Sequence, residues 1–248
     1  MKIGIYGDSY SCYHTKWDMG KKFNKHLGPS WVKIIESTGN EVTNYAEFGS
    51  AFLFSYEKFL QNHHKHDLNI FVVSCPTRIY IKALDGIKLF GGTSVDMEYD
   101  KVKKLPFYER KNIHLDILTS LKVYVRLYRD MDMDRNIQHA LVNNLWNLHY
   151  NTIVIPGFDD SISQTNICLN DASRFELKLI DEEKYNKMDL RYLNCSRKCH
   201  FSEENNEVLA NLIFDAISKS KKIVEFPLDL IKKPSKSENF YFYVGEHS

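Results

Sequence analysis

Three short apolar runs, each halted by Gly or Pro, constrain this chain more than any other feature. Lys2 to Tyr6 stops at Gly7, Leu68 to Ser74 stops at Cys75-Pro76, and Thr152 to Ile155 stops at Pro156-Gly157. Glu41 to Ala46, ending near Gly49-Ser50, adds a further extended segment. Amphipathic stretches separate these runs. Alternation of that kind is the pattern of an α/β domain built on a parallel sheet. With 248 residues, the chain suits one large domain or two small ones and can bury a sizeable core.

The spacing predicts helices between the strands. Pro29-Ser30 opens one that runs to Thr38, with Trp31, Ile34 and Ile35 on one face. Phe52 to His63 shows helical spacing through Phe52, Tyr56, Phe59 and Leu60. Glu109 to about Tyr150 is mostly helical in period, with a break near Asp130 to Asp134. Ser202 to Ser218 is the strongest helix. Ser202 is its N-cap, Glu203-Glu204 sit in its first turn, and Val208, Leu209, Leu212, Ile213 and Ile217 are expected to be buried. Phe175 to Ile180 is read as a final strand, giving a mainly parallel five-strand sheet. Residues 1–220 form the main domain, with a loop-rich insertion over about 79–110. The tail, 221–248, is expected to add an edge strand or to pack on the body.

Composition narrows the function classes. Lys and Arg number 33 against 32 Asp and Glu, a net charge of +1, so no global field draws the protein to nucleic acid or to an acidic membrane. No apolar run is long enough to span a bilayer. The N-terminus turns polar at Gly7-Asp8-Ser9 and is not read as a signal peptide. Five cysteines without repeating spacing argue for reduced thiols, hence a cytoplasmic setting. Cys195, Cys199 and His200 lack a fourth ligand with zinc spacing, and no metal is expected. His63-His64-Lys65-His66 is read as a solvated loop, and Asp130 to Asp134 lacks the glycine and terminal Glu of a calcium loop.

In an open parallel sheet, ligands bind beyond the carboxyl ends of the strands. Gly7-Asp8-Ser9 lies there, after the first strand, where a sharp bend lifts the Ser9 hydroxyl to the sheet rim. Asp8 is read as structural, its carboxylate accepting nearby N–H groups. A serine hydroxyl attacks only when a base takes its proton. The best base is His200, in Cys199-His200-Phe201-Ser202-Glu203-Glu204, just before the C-terminal helix.

These motifs, with Gly49 after the second strand, resemble the SGNH (GDSL-type) hydrolase family over Lys2 to about Ser218. Within it the chain is most similar to divergent members encoded by phages and other microbes. The resemblance implies a three-layer α/β/α sandwich of flavodoxin-like build. It implies a serine esterase acting through an acyl-Ser9 intermediate on a small-molecule or glycan ester, without a cofactor. Ser9 would be the nucleophile, His200 the general base, and the backbone N–H groups of Ser9 and Gly49 the oxyanion donors.

Two departures from the family pattern stand out. Arg197 occupies the place of the family's acid, three residues before the histidine. Either Asp189 or a backbone carbonyl then orients the imidazole. After the third strand the family's Gly-x-Asn-Asp is replaced by Ser74-Cys75-Pro76-Thr77-Arg78, so Thr77 or Arg78 would supply the third donor. Arg78 suits an oxyanion or an anionic substrate group. The competing reading is a glycan- or partner-binding module on the same fold, without turnover. A flavodoxin-like nucleotide binder fits less well, because Asp8 would repel a phosphate at the first turn.

Overall fold

A computed structural model describes residues 1–12, 29–47, 50–76, 78, 119–120, 123–124, 127–148, 151–158, 162, 168–180 and 201–233. It is an α/β protein on a parallel four-strand sheet. The strands are β1 (Lys2–Tyr6), β2 (Glu41–Asn44), β3 (Leu68–Val73) and β4 (Thr152–Pro156). Their order is β2-β1-β3-β4, and every pair is parallel. The helices are α1 (Trp31–Ser37), α2 (Phe52–Asn62), α3 (Met131–Leu148), α4 (Leu169–Ile180) and α5 (Glu203–Ser218). No helix among the described residues is long and apolar enough to cross a membrane.

The strands alternate in the faces they bury, because successive side chains point to opposite sides of a sheet. Ile3, Ile5, Ile70, Val72, Ile153 and Ile155 share a core with Trp31 and Ile35 of α1 and Leu209 and Ile213 of α5. Tyr6, Phe71, Val73 and Val154 build a separate core with Phe52 and Phe59 of α2 and Val142 and Leu145 of α3. Burial on both faces explains why β3 and β4 read as continuous apolar runs.

Local signals set several helix ends. The Ser30 hydroxyl accepts from Lys33 N at 3.4 Å and caps α1. The Ser202 hydroxyl caps α5 by accepting from Asn205 N at 3.3 Å. The expected break after the first helical stretch falls at Asp130, whose carboxylate accepts from Asp132 N and Met133 N at 3.0 Å each and starts α3.

Four expectations change. Phe175 to Ile180 is the second half of α4, not a strand. Its Phe-Glu-Leu-Lys-Leu order alternates like a strand, but Leu169, Ala172, Ser173 and Glu176 are buried at helical spacing. The Asp171 carboxylate also accepts from Cys168 N at 3.4 Å, holding the first turn as a capping box does. The second concerns strand number: among the described residues the sheet has four strands, and beside β4 the tail adds a single parallel bridge, Val154 to Ile223. Val154 N donates to Lys222 O at 2.8 Å and Val224 N to Val154 O at 3.0 Å. Val224, Phe226 and Ile231 then enter the core. Third, the buried stripe of α5 is Asn205, Asn206, Leu209, Ala210, Ile213 and Ala216, leaving Val208, Leu212 and Ile217 half-buried at its borders. Leu60 of α2 is likewise 49% exposed. The insertion over about 79–110 lies outside the described residues.

The fourth change concerns the histidine run. His63–Lys65 forms one 3₁₀ turn after α2, and His66 packs rather than floating in solvent. Its Nδ1 lies 3.5 Å from the Tyr6 hydroxyl, and its ring meets Tyr45 edge-on at 5.7 Å. Burial holds its pKa below the ordinary histidine value, the Lys65 charge adds to this, and the Asn62 carbonyl and the Asp67 and Glu41 carboxylates oppose it. The unfolded chain therefore binds this proton more readily than the folded one. Stability from this site is present above the ordinary value of about 6.5 and is lost as the pH falls through the folded value. His66→Gln is expected to reduce the drop in urea midpoint between pH 7.5 and pH 5. An unchanged drop would remove His66 from the acid response.

Candidate functional site

β1 ends at Tyr6, and Gly7 turns the chain with φ +146°. A Cβ at Gly7 would stand 2.8 Å from Val72 Cβ and 2.9 Å from Val72 O, so only glycine lets the turn pass this close to β3. The Gly7 carbonyl gathers the segment that follows β2. It accepts from Glu47 N at 3.2 Å, Ser50 Oγ at 2.9 Å and Ser55 Oγ at 3.2 Å. Gly49, the expected oxyanion donor between those anchors in sequence, lies outside the described residues.

Asp8 caps a single 3₁₀ turn, Ser9–Ser11. Its Oδ1 accepts from Tyr10 N at 3.1 Å, and its carbonyl from Ser11 N at 2.9 Å. Asn44 Nδ2 donates to Ser11 O at 2.6 Å and ties the turn to the end of β2. Ser9 therefore sits on a short turn fastened on both sides, and is 7% exposed. Cys12, which closes the same turn, is buried. Burial pushes its thiol well above the ordinary value, with the Asp8 and Glu47 carboxylates adding to the shift.

Arg78 brings a cation to this rim. Its Nη1 donates to Asp8 Oδ2 at 2.6 Å and to Ser50 O at 3.1 Å. Its guanidinium carbon lies 4.7 Å from the centre of the Phe158 ring. Asp8 follows β1, Ser50 follows β2, Arg78 follows β3 and Phe158 follows β4. One side chain thus joins the carboxyl ends of all four strands. Thr77, the alternative third donor, lies outside the described residues.

The start of α5 comes to the same rim. The Phe201 ring lies 5.9 Å from that of Tyr10 and stacks on Phe226 at 5.2 Å. Tyr10 also meets Phe158 edge-on at 5.6 Å and donates its hydroxyl to Asn170 Oδ1 at 3.3 Å. Trp31 links both sides: its ring Nε1 donates to Tyr10 O at 2.7 Å, and its backbone N to Asn206 Oδ1 at 3.0 Å. The residue after Ser9 in sequence therefore packs against the residue after His200. His200 and Asp189 themselves lie outside the described residues.

Reading the sequence missed Glu176. This carboxylate is fully buried on α4, and its Oε1 accepts from Ser202 N at 2.9 Å and Asn205 Nδ2 at 2.8 Å. It holds the first residues of α5 in place. The only signal for it in the sequence is an acid inside an apolar run, which is equally the mark of a solvated helix face. Phe158 falls in the segment after the fourth strand that the strand-end rule singles out, but nothing in its neighbours marks it as the platform for Arg78.

Among the described residues, no group of three or more His, Cys, Asp or Glu side chains could hold a metal ion. Cys195, Cys199 and His200 lie outside them. Cys12, Cys75 and Cys168 are free thiols. No family model, curated protein or solved structure matches the chain.

Proposed function

We propose that the chain is a serine hydrolase of the SGNH type that cleaves a small-molecule or glycan ester through an acyl-Ser9 intermediate. The observation that carries this reading is the contact between Tyr10 and Phe201, 5.9 Å between ring centres. Each of these residues is the immediate chain neighbour of a proposed participant, Ser9 or His200, and consecutive Cα atoms are only about 3.8 Å apart. A nucleophile and a base from opposite ends of the chain need such a junction. Support also comes from the cores on both faces of the sheet and from the Ile223 bridge at its edge, which suit a three-layer sandwich with a fifth strand position.

In the proposed reaction His200 takes the Ser9 proton as the hydroxyl oxygen attacks the acyl carbon. The tetrahedral oxyanion is met by the backbone N–H groups of Ser9 and Gly49, with Thr77 or Arg78 as third donor. Collapse expels the alcohol, which takes the proton from His200. His200 then deprotonates water, whose oxygen attacks the acyl carbon; collapse releases the acid as Ser9 leaves and takes the proton back from His200. Loss of one oxyanion donor costs about 10²–10³ in rate. Asp189 or a backbone carbonyl orients the imidazole. Asp8 does not serve there, because its two oxygens face Tyr10 N and Arg78.

A fluorophosphonate probe tests the proposal. Ser9 in the folded protein is expected to be labelled, the Ser9→Ala variant is expected to stay blank, and His200→Gln is expected to slow labelling by about 10³-fold or more. A wild-type protein left unlabelled under conditions that label an active serine hydrolase would overturn it. The second reading, a binding module without turnover, draws on Arg197 standing where the family has its acid. It requires that Ser9→Ala bind glycan as tightly as wild type while neither hydrolyses an ester.

A further inference from the structure

We propose that Arg78 binds an oxygen-anion group of the ligand, a carboxylate or a phosphate, at the rim that carries Ser9. The inference deepens the esterase reading by assigning a substrate class, and it rests on that reading only for the reaction, not for the binding site.

The guanidinium is held rigidly. Asp8 Oδ2 and Ser50 O both accept from Nη1, and the Phe158 ring lies 4.7 Å from Cζ. Nη1 is thus committed to the protein. Among the described residues neither Nη2 nor Nε has a hydrogen-bond partner. Those two nitrogens form one edge of the planar fork, the edge that meets carboxylate or phosphate with two parallel hydrogen bonds. The side chain is 18% exposed while its Asp8 partner is fully buried, so the pair has a wet side and a dry side.

The buried Asp8 also sets the character of the site. Its charge offsets that of Arg78, so the rim is not a bare cation that gathers every anion nearby. What remains is a pair of oriented, charge-assisted donors, which favours groups able to accept two bonds in one plane. Asp8 caps the turn that carries Ser9, so the bound anion would lie at the same rim. The substrate class that follows is an ester whose acyl or alcohol part carries a carboxylate or phosphate near the scissile bond.

Two measurements test this. Glutarate and inorganic phosphate are titrated calorimetrically into wild type, into Arg78→Met, and into Asp8→Asn/Arg78→Met. The double variant removes the buried carboxylate charge together with its partner, so that its fold does not suffer from an unpaired Asp8, and its thermal midpoint is recorded beside wild type. Binding of at least one anion to wild type is expected, weakened by about tenfold or more in both variants. The tighter of the two anions identifies the group. In the second measurement, kcat and KM are compared for a chromogenic aryl hydrogen glutarate and for its neutral methyl ester. Wild type is expected to favour the acid ester through KM, and the double variant is expected to lose that preference.

Absence of Arg78-dependent anion binding in the folded proteins would overturn the proposal, as would an equal ester preference in wild type and double variant. The two failures are separable. If Ser9 takes the fluorophosphonate but charge makes no difference, the anion site falls and the esterase stands. If the anions bind through Arg78 but Ser9 is never labelled, the esterase falls and the anion site stands.

Discussion

Gly7→Ala is expected to be among the most damaging single substitutions in the chain, lowering stability by about 2–6 kcal/mol. Two costs add. The turn holds φ at +146°, where a side chain strains the backbone by about 1–3 kcal/mol. The new methyl would also stand 2.8 Å from Val72 Cβ and 2.9 Å from Val72 O. Val72 is a central residue of β3 and cannot retreat without disturbing the sheet, so overpacking adds about 1–3 kcal/mol. For a domain of this size the sum is a fall of roughly 5–20 °C in thermal midpoint. Gly39→Ala is the matched control. Its φ is +86° but nothing lies within 4 Å of a Cβ there, so only the backbone cost of about 1–2 kcal/mol applies. Equal shifts in the two variants would mean that the close approach to β3 is unimportant. Because Gly7 O also anchors Glu47, Ser50 and Ser55, the damage should spread to the segment after β2.

Glu176→Ala is the second large effect. It takes away the acceptor of two buried donors, Ser202 N and Asn205 Nδ2. Asn205 Nδ2 keeps Lys232 O at 2.8 Å and Ser202 Oγ at 3.3 Å, so Ser202 N is the donor left unsatisfied, a loss of about 1–3 kcal/mol. Glu176→Gln keeps a carbonyl oxygen able to accept both bonds and is expected to cost less than about 1.5 kcal/mol. The distinctive readout is local. Amide exchange at Ser202 should accelerate in Glu176→Ala before global unfolding, and remain slow in Glu176→Gln. Under the proposed esterase reading, with His200 directly before Phe201 and Ser202, fluorophosphonate labelling of Ser9 should slow in parallel. Exchange at Ser202 that matches wild type in Glu176→Ala would show that the carboxylate does not hold this segment.

Much of the architecture is legible along the chain because its signals are short. A run of β-branched and aromatic residues halted by Gly or Pro carries its own stop, and each of the three apolar runs became a strand within a residue or two of the expected limits. Ser30 and Ser202 advertise helix starts because a hydroxyl caps an N–H three residues away, and both do so. Asp8 is similar: its Oδ1 reaches Tyr10 N, two residues on. Where competing patterns overlap, the local reading fails. Residues 175–180 alternate like a strand yet belong to a helix whose buried stripe begins at Leu169, outside the window in which the alternation is seen.

The partners that make the candidate site belong to a different class. Arg78 meets Asp8 across 70 positions, Tyr10 meets Asn170 across 160, and Trp31 meets Asn206 across 175. Periodicity and capping act within one or two turns, so they position strands, helix starts and the Gly7-Asp8-Ser9 turn, but they carry no information about which distant loop will share a rim. That choice follows from parallel strands all delivering their carboxyl ends to one side of the sheet. There a buried carboxylate must find a cation, and a buried helix start must find an acceptor. Chain order supplied the turn that carries Ser9; only the packed sheet selected Arg78, Phe158 and Glu176 as its surroundings.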